Sequence, residues 1–150
     1  MDPTDEPGVT EASARYLVAV FRLWAESGRR ASTGDIADRL DVEPSSVTDM
    51  LGKLDAAGYL DHSPHRGVEL TPAGAEFARA LSRRQCVVEA FFDSLGTSLG
   101  AERAHAIGYR LPAAAVDWFG GESGLECGDR CRAGEEWLED CPKLAGVGPA

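Results

Sequence analysis

The sequence predicts a mainly α-helical protein with one small β-hairpin. Apolar residues recur every three to four positions through most of the chain, which is the spacing of amphipathic helices. Two short helical segments stand on either side of a turn, and two strand-like runs follow them. No internal repeat is evident, and the length of 150 residues suits one domain with an appendage.

The first two helices are delimited by capping and breaking residues. Residues 11–26 carry apolar side chains on one helical face, and Ser27-Gly28 ends this helix. Thr33 is predicted to cap a second, short helix over residues 34–40. Residues 41–44 contain a proline and are predicted to form a turn.

A third helix and a hairpin follow this turn. The helix is predicted over residues 45–57, with Gly58 as its C-cap. Tyr59-Leu60 and residues 68–70 are strand-like runs, and the segment between them contains proline and glycine. Such a segment suits the turn of a hairpin.

The rest of the chain is predicted to be helical until its last 30 residues. Thr71 is expected to cap a long helix that begins at Pro72 and continues to Leu95-Gly96. A further helical stretch over residues 100–119 is expected to end at Gly120-Gly121. The remaining segment is rich in glycine and acidic residues and holds three of the four cysteines.

This order of helix, short helix, turn, helix and hairpin is the layout of a winged helix-turn-helix. In that fold the helix after the turn enters the major groove of DNA, and its first residues meet bases and phosphates. Short hydroxyl side chains begin this helix, and Asp49 suits a cytosine amino group or the orientation of a neighbour. The residues expected to contact DNA are Thr33, Ser45, Ser46, Thr48, Asp49, Lys53, His65 and Arg66.

The net charge of −10 argues at first against a nucleic-acid partner. However, residues 1–11 hold four acids and no base, and residues 120–150 hold seven acids and three bases, so together they supply −8. Residues 29–84 hold nine acids and eight bases and are nearly neutral. Affinity per monomer should be modest, and a dimer on two half-sites would compensate. The available phosphate contacts are Arg29, Arg30, Lys53, Arg66, Arg79, Arg83 and Arg84.

Composition also bears on the compartment. Only Lys53 and Lys143 are lysines among 15 basic residues, which is typical either of a salt-adapted, halophile-like cytoplasm or of a GC-rich genome. No run of about 18 apolar residues exists, so no membrane span is expected. The acidic N-terminus shows no secretion leader, and a cytoplasmic protein is expected.

Four segments resemble the diphtheria-toxin-repressor family of iron- and manganese-dependent regulators. They are residues 14–17, 36–48, 54–60 and 68–74, and the resemblance extends over residues 11–140. It implies a winged helix-turn-helix DNA-binding domain over residues 11–75, a helical dimerisation and metal-site domain over residues 76–120, and a homodimer that binds a double-stranded DNA operator. Composition itself predicts an acidic flexible tail over residues 1–10 and an acidic cysteine-containing tail over residues 121–150.

The metal ligands of that family are only partly present. The resemblance places Glu89 and His105 at two ligand positions of an ancillary site, whereas Gln85 stands where the family has a histidine. Arg15 or Ser13 falls at the first-helix ligand position, and an arginine there opposes a cation. The other positions hold Tyr109, Pro112 and Ala113. The resemblance implies iron or manganese, but the usual metal sensor is predicted to be dismantled.

The cysteines suggest a different input. Cys127, Cys131 and Cys141 follow the pattern C-x3-C-x9-C-P. Zinc and iron–sulfur clusters both accept such thiolates, with Cys86, His105 or a partner chain as a fourth ligand. A thiol redox switch and the absence of any special role are the alternatives.

The leading hypothesis is therefore a homodimeric transcriptional regulator whose input is a metal, an iron–sulfur cluster or thiol redox state. The alternative is a winged-helix module that binds proteins without specific DNA binding. No nucleophile–base pair, phosphate-binding glycine loop or catalytic acid pair is evident, so an enzyme is not expected.

Overall fold

The computed structural model describes residues 8–123. In this range the chain forms six helices and a two-stranded sheet, so the predicted mainly α-helical fold class is confirmed. None of these helices has the length and apolar character needed to cross a bilayer. The elements are α1 (Glu11–Ser27), α2 (Thr33–Leu40), α3 (Pro44–Ala56), β1 (Leu60–Ser63), β2 (Gly67–Leu70), α4 (Pro72–Ser94), α5 (Ala101–Arg110) and α6 (Ala113–Ser123).

The described residues divide into two compact units, and the boundary falls within α4. The first unit comprises residues 8–78 and the second comprises residues 79–123. The first unit therefore contains the three helices and the hairpin of the winged helix-turn-helix. The second unit contains most of α4 together with α5 and α6.

Reciprocal side-chain caps fix the beginnings of α1 and α2. The hydroxyl of Thr10 accepts from the backbone N–H of Ser13 at 3.1 Å, and Ser13 Oγ accepts from the N–H of Thr10 at 2.8 Å. Ser32 and Asp35 form the same arrangement at α2. The prediction that Thr33 caps α2 is wrong, because Ser32 has the extended backbone of a cap and its hydroxyl reaches the third helical N–H.

The apolar faces of α1, α2 and α3 meet in the core of the first unit. Between α2 and α3, Asp41 adopts a left-handed conformation with φ 54°, and the N–H of Val42 donates to the carbonyl of Ala37 at 3.1 Å. This tight turn brings the two helices of the helix-turn-helix together. The largest side chains that are fully buried in this unit are Leu17, Val20, Ile36, Val47, Leu51, Leu54 and Val68.

The hairpin is attached to the loop before α2. β1 and β2 pair antiparallel, with Ser63 opposite Gly67. The N–H of Val68 donates to the carbonyl of Ala31 at 2.8 Å, which adds a single bridge beside β2. Gly67 is required here, because its φ is 86° and a Cβ would lie 2.7 Å from the Ala31 oxygen.

The chain leaves the hairpin through the predicted cap of α4. Pro72 is the first residue of the helix, and the N–H of Gly74 donates to Thr71 Oγ1 at 3.1 Å. The same hydroxyl donates to the carbonyl of Gly58 at 2.7 Å. A Cβ at Gly74 would lie 1.7 Å from the carbonyl oxygen of Tyr59, so only glycine allows α4 to pack this closely.

Two predictions for the second unit are wrong. The single helical stretch over residues 100–119 is two helices, because Pro112 disfavours a helical backbone at Leu111, which is extended. The expected break at Gly120-Gly121 does not occur, and α6 continues to Ser123. A Cβ at Gly120 would lie 3.8 Å from the side chain of Val87, so this part of α6 lies beside α4. Glycine weakens a helix by about 1 kcal/mol but does not have to end it.

Two arginines of α4 connect the helices of the second unit. Arg84 is 5% exposed, and its guanidinium donates to the carbonyl of Gly108 at 3.1 Å and to that of Leu111. Arg83 pairs with Asp117 of α6 at 3.4 Å. The prediction that Arg84 is available for a phosphate contact is wrong, because its charge is buried and its donors serve the end of α5.

Candidate nucleic-acid interface

The outward face of α3 is polar and unobstructed. Val47, Leu51 and Leu54 are buried on one side of the helix. Positions 45, 48, 49 and 52 have helical spacing on the other side, and all four are exposed. Five of the predicted DNA contacts therefore lie on the exposed surface of one helix, and these are Ser45, Ser46, Thr48, Asp49 and Lys53.

The beginning of α3 differs from the beginnings of α1 and α2. Glu43 occupies the N-cap position but its side chain forms no capping hydrogen bond, and Pro44 is the first helical residue. The adjacent hydroxyl residues Ser45 and Ser46 are exposed. Pro44 has no N–H, and the N–H groups of Ser46 and Val47 donate to the carbonyl of Glu43 at 3.0 and 3.2 Å. The N–H of Ser45 is thus the first-turn donor that suits an outside acceptor such as a phosphate oxygen.

Thr48 is held in one orientation by its own helix. Its Oγ1 donates to the carbonyl of Pro44 at 3.1 Å. The hydroxyl proton is therefore committed inside the helix, whereas the oxygen lone pairs remain available to accept. Next to it, Asp49 presents a carboxylate, which only accepts when ionised.

The hairpin forms the wing beside α3. His65 and Arg66 lie in its turn and are exposed, and His65 has the left-handed φ of 74°. Asp55, near the end of α3, accepts from the backbone N–H of His62 at 2.9 Å. This contact joins the candidate recognition helix to the wing. Sequence reasoning missed Asp55, because only the folded hairpin brings residue 62 back to residue 55.

The remaining predicted residues are distributed around this surface. Thr33, the eighth predicted DNA contact, is half-buried in the first turn of α2. The guanidinium of Arg30 forms an ion pair with Glu69 of β2. Arg29, Lys53 and Arg66 are exposed cations of the first unit. The surface is thus polar with few positive charges, as the segment charges predicted.

The positions that the resemblance assigns to a metal do not fit one in the described part of the chain. Glu89 accepts from the amide of Gln85 at 2.7 Å, and Ser13 is used in the α1 cap. His105 is 4% exposed, and its ring lies 6.1 Å from that of Tyr109. Residues 8–123 contain no group of three His, Cys, Asp or Glu side chains arranged for a metal, and a divalent ion needs more than two protein ligands.

The predicted cysteine ligands mostly lie elsewhere. Cys127, Cys131 and Cys141 are outside the described residues. Cys86 is buried in α4. The structure therefore brings together the predicted residues of α3 and the wing, and among residues 8–123 it shows no ligand cluster around Glu89 or His105.

Comparison with known proteins identifies the first unit. Residues 9–68 match the family model described as the iron dependent repressor, N-terminal DNA binding domain. The first unit is therefore similar to the DNA-binding domain of iron-dependent repressors. The matched residues run from the beginning of α1 into β2 and include all of α3.

Curated transcriptional regulators are similar to more than half of the chain. The HTH-type transcriptional regulator MntR of Listeria monocytogenes is 38% identical over 87 residues, which are 58% of this chain and 61% of the relative. MntR of Geobacillus kaustophilus is 38% identical over 89 residues, which are 59% of this chain and 62% of the relative. The chain thus spans less than two thirds of the curated relatives it matches.

Solved structures support the same fold. T. acidophilum IdeR aligns with a TM-score of 0.65 at 23% identity, over 79% of this chain and 55% of that one. A manganese-dependent transcriptional repressor in complex with manganese aligns with a TM-score of 0.65 at 24% identity, over 75% and 52%. These similarities show that the fold shared with the two structures extends over more of the chain than residues 9–68.

Proposed function

We propose that this chain is a DNA-binding transcriptional regulator that reads a double-stranded operator with α3 and the wing. The exposed polar face of α3 carries the proposal, because it lies in a domain whose family model is a DNA-binding domain. In this geometry the hydroxyls at the beginning of α3 meet the phosphate backbone, and the middle of the helix faces the bases.

The proposed regulator acts as a homodimer through the second unit. Leu95 and Trp118 are 64% and 57% exposed, which is unusual for large apolar side chains. The ring centroids of Trp118 and Phe91 lie 6.1 Å apart, so these two residues form part of an aromatic cluster. A second copy of the chain is the proposed occupant, since paired recognition helices offset the weak charge of each monomer.

The input is proposed to act through the cysteines rather than through Glu89 and His105. Related proteins are described as manganese- or metal-dependent regulators. In this chain the carboxylate of Glu89 accepts a hydrogen bond from the amide of Gln85. The described residues provide no third metal ligand beside Glu89 and His105. A metal, an iron–sulfur cluster or thiol oxidation at Cys127, Cys131 and Cys141 therefore remains the proposed signal.

A DNA selection followed by a binding measurement tests the function. Duplexes enriched from a randomised library by the wild type are titrated by fluorescence anisotropy. The double variant Ser46→Glu, Thr48→Glu places two carboxylates on the α3 face and is expected to weaken binding by at least about tenfold, the scale of one lost base contact. Unchanged affinity would remove α3 from the interface. Failure of the wild type to enrich any sequence would favour the protein-interaction module instead.

A further inference from the structure

We infer that the operator presents an exocyclic amino group, that of a cytosine, beneath the middle of α3, where Asp49 accepts from it. This inference rests on the proposed function and names the base that the same surface reads. It concerns the residues that determine sequence specificity rather than those that hold the DNA backbone.

Asp49 lies at the centre of the outward face of α3. It is exposed, and positions 45 and 52 on the same stripe are exposed beside it. Within residues 8–123 its carboxylate has no hydrogen bond or ion pair with another side chain, although Lys53 lies one turn further on. Its charge is therefore not used to stabilise the fold in the described part of the chain.

A carboxylate facing DNA has few favourable partners. It repels phosphate groups, and it cannot donate to the base acceptors of guanine or thymine. In the major groove, cytosine presents an amino donor and no acceptor on the same base. Adenine carries N7 next to its amino group, and this acceptor is unfavourable for a carboxylate.

Thr48, next to Asp49, also needs a hydrogen-bond donor on the base edge. Because its hydroxyl proton is donated to the carbonyl of Pro44, Thr48 also offers only lone pairs toward the groove. Two adjacent residues in the middle of α3 thus accept without donating. This arrangement selects base edges that carry amino groups and disfavours guanine, whose edge presents N7 and O6 acceptors.

Gly52 supplies the clearance that a short side chain needs. It is exposed in the interior of α3, and a Cβ there would meet nothing within 4 Å. Packing among the described residues therefore does not require glycine here, although glycine weakens a helix. Asp49 reaches a base only if α3 lies close to the groove floor, and a bare backbone at position 52 permits that approach.

Parallel selections from a randomised duplex library test the inference. The wild type, Asp49→Asn, Asp49→Ala and Asp38→Asn are compared, the last removing one exposed acid from α2 as a matched control. We expect one cytosine position in each wild-type half-site. Asparagine pairs with the N6 and N7 of adenine, so Asp49→Asn should move that position to adenine. Asp49→Ala should remove the base preference at that position, and the affinity ratio between cytosine and the other bases should fall by about tenfold or more.

The control and the affinities complete the test. Asp38→Asn should select the wild-type sequence, and Asp49→Ala should bind unselected DNA more tightly because it removes a charge that repels phosphate. Identical selected sequences for wild type and both Asp49 variants would overturn the inference and leave the proposed function intact. If the wild type enriched no sequence, the proposed function itself would fail.

Discussion

The carboxylate of Asp55 in α3 accepts a hydrogen bond from the backbone N–H of His62 in β1 at 2.9 Å. A charged acceptor makes such a bond stronger than a neutral one. The contact couples the end of the candidate recognition helix to the first strand of the wing. We infer that it holds these two DNA-facing elements in a fixed relationship.

Removal of this acceptor should loosen the wing without unfolding the domain. In Asp55→Ala we expect the His62 amide to exchange at least about tenfold faster, since a hydrogen bond to a charged group contributes roughly 1.5–3 kcal/mol. Global stability should change less, because alanine favours the helix and offsets the loss. Hydrogen exchange followed by NMR measures both, with Asp38→Ala as control. Unchanged protection of His62 would show that the contact does not hold the wing.

Gly52 predicts opposite effects on stability and binding. Gly52→Ala should stabilise the protein by about 0.5–1 kcal/mol and weaken operator binding severalfold, because the methyl group enters the space that the DNA occupies. Gly121 is a matched control, since it is also exposed in a helix and a Cβ there meets nothing within 4 Å. Gly121→Ala should stabilise without changing operator affinity. Tighter binding by Gly52→Ala would contradict the close approach of α3.

The exposed apolar surface of the second unit predicts the oligomeric state. The double variant Leu95→Glu, Trp118→Glu should be monomeric, because two carboxylates would be buried without partners in the proposed interface. Ile107→Glu changes another exposed apolar residue of the same unit and should remain dimeric. Size-exclusion chromatography with light scattering measures the masses. A monomeric wild type, or a dimeric double variant, would contradict the proposal.

Mutation can separate the two candidate sites for the regulatory signal, which are the cysteines of residues 121–150 and the position of Glu89. The double variant Cys127→Ser, Cys131→Ser should lose any response of DNA binding to iron, manganese, zinc or oxidation. Glu89→Gln should retain that response, because the described residues around Glu89 provide no metal cluster. Metal content after anaerobic purification and operator affinity are measured together. Loss of metal and response in Glu89→Gln alone would place the input at the position that the family resemblance implies.

Local signals explain why much of the fold could be predicted. Apolar spacing and Gly28 delimit α1, and Thr71 with Pro72 begins α4 as expected. The cap of α2 was misplaced by one residue, because Ser32 and Thr33 both have suitable side chains and only the backbone conformation distinguishes them. Gly120 and Gly121 do not end α6, because glycine weakens a helix by about 1 kcal/mol without breaking it.

Sequence reasoning predicted only those residues of the candidate site whose positions depend on neighbouring residues in the chain. The exposed hydroxyls and Asp49 follow from the turn that precedes α3 and from helical spacing. The burial of Arg84 did not, because it depends on the carbonyls of Gly108 and Leu111, more than 20 residues further along the chain. The Asp55–His62 contact likewise requires the formed hairpin.

The salt dependence of operator affinity tests the central claim most directly. Specific DNA binding that includes phosphate contacts must weaken as salt rises, because each contact releases counterions. We expect the wild-type dimer to bind its selected duplex far more tightly than a scrambled one, with log Kd rising linearly with log salt concentration. Equal affinity for both duplexes, or an affinity independent of salt, would contradict DNA recognition by α3 and the wing.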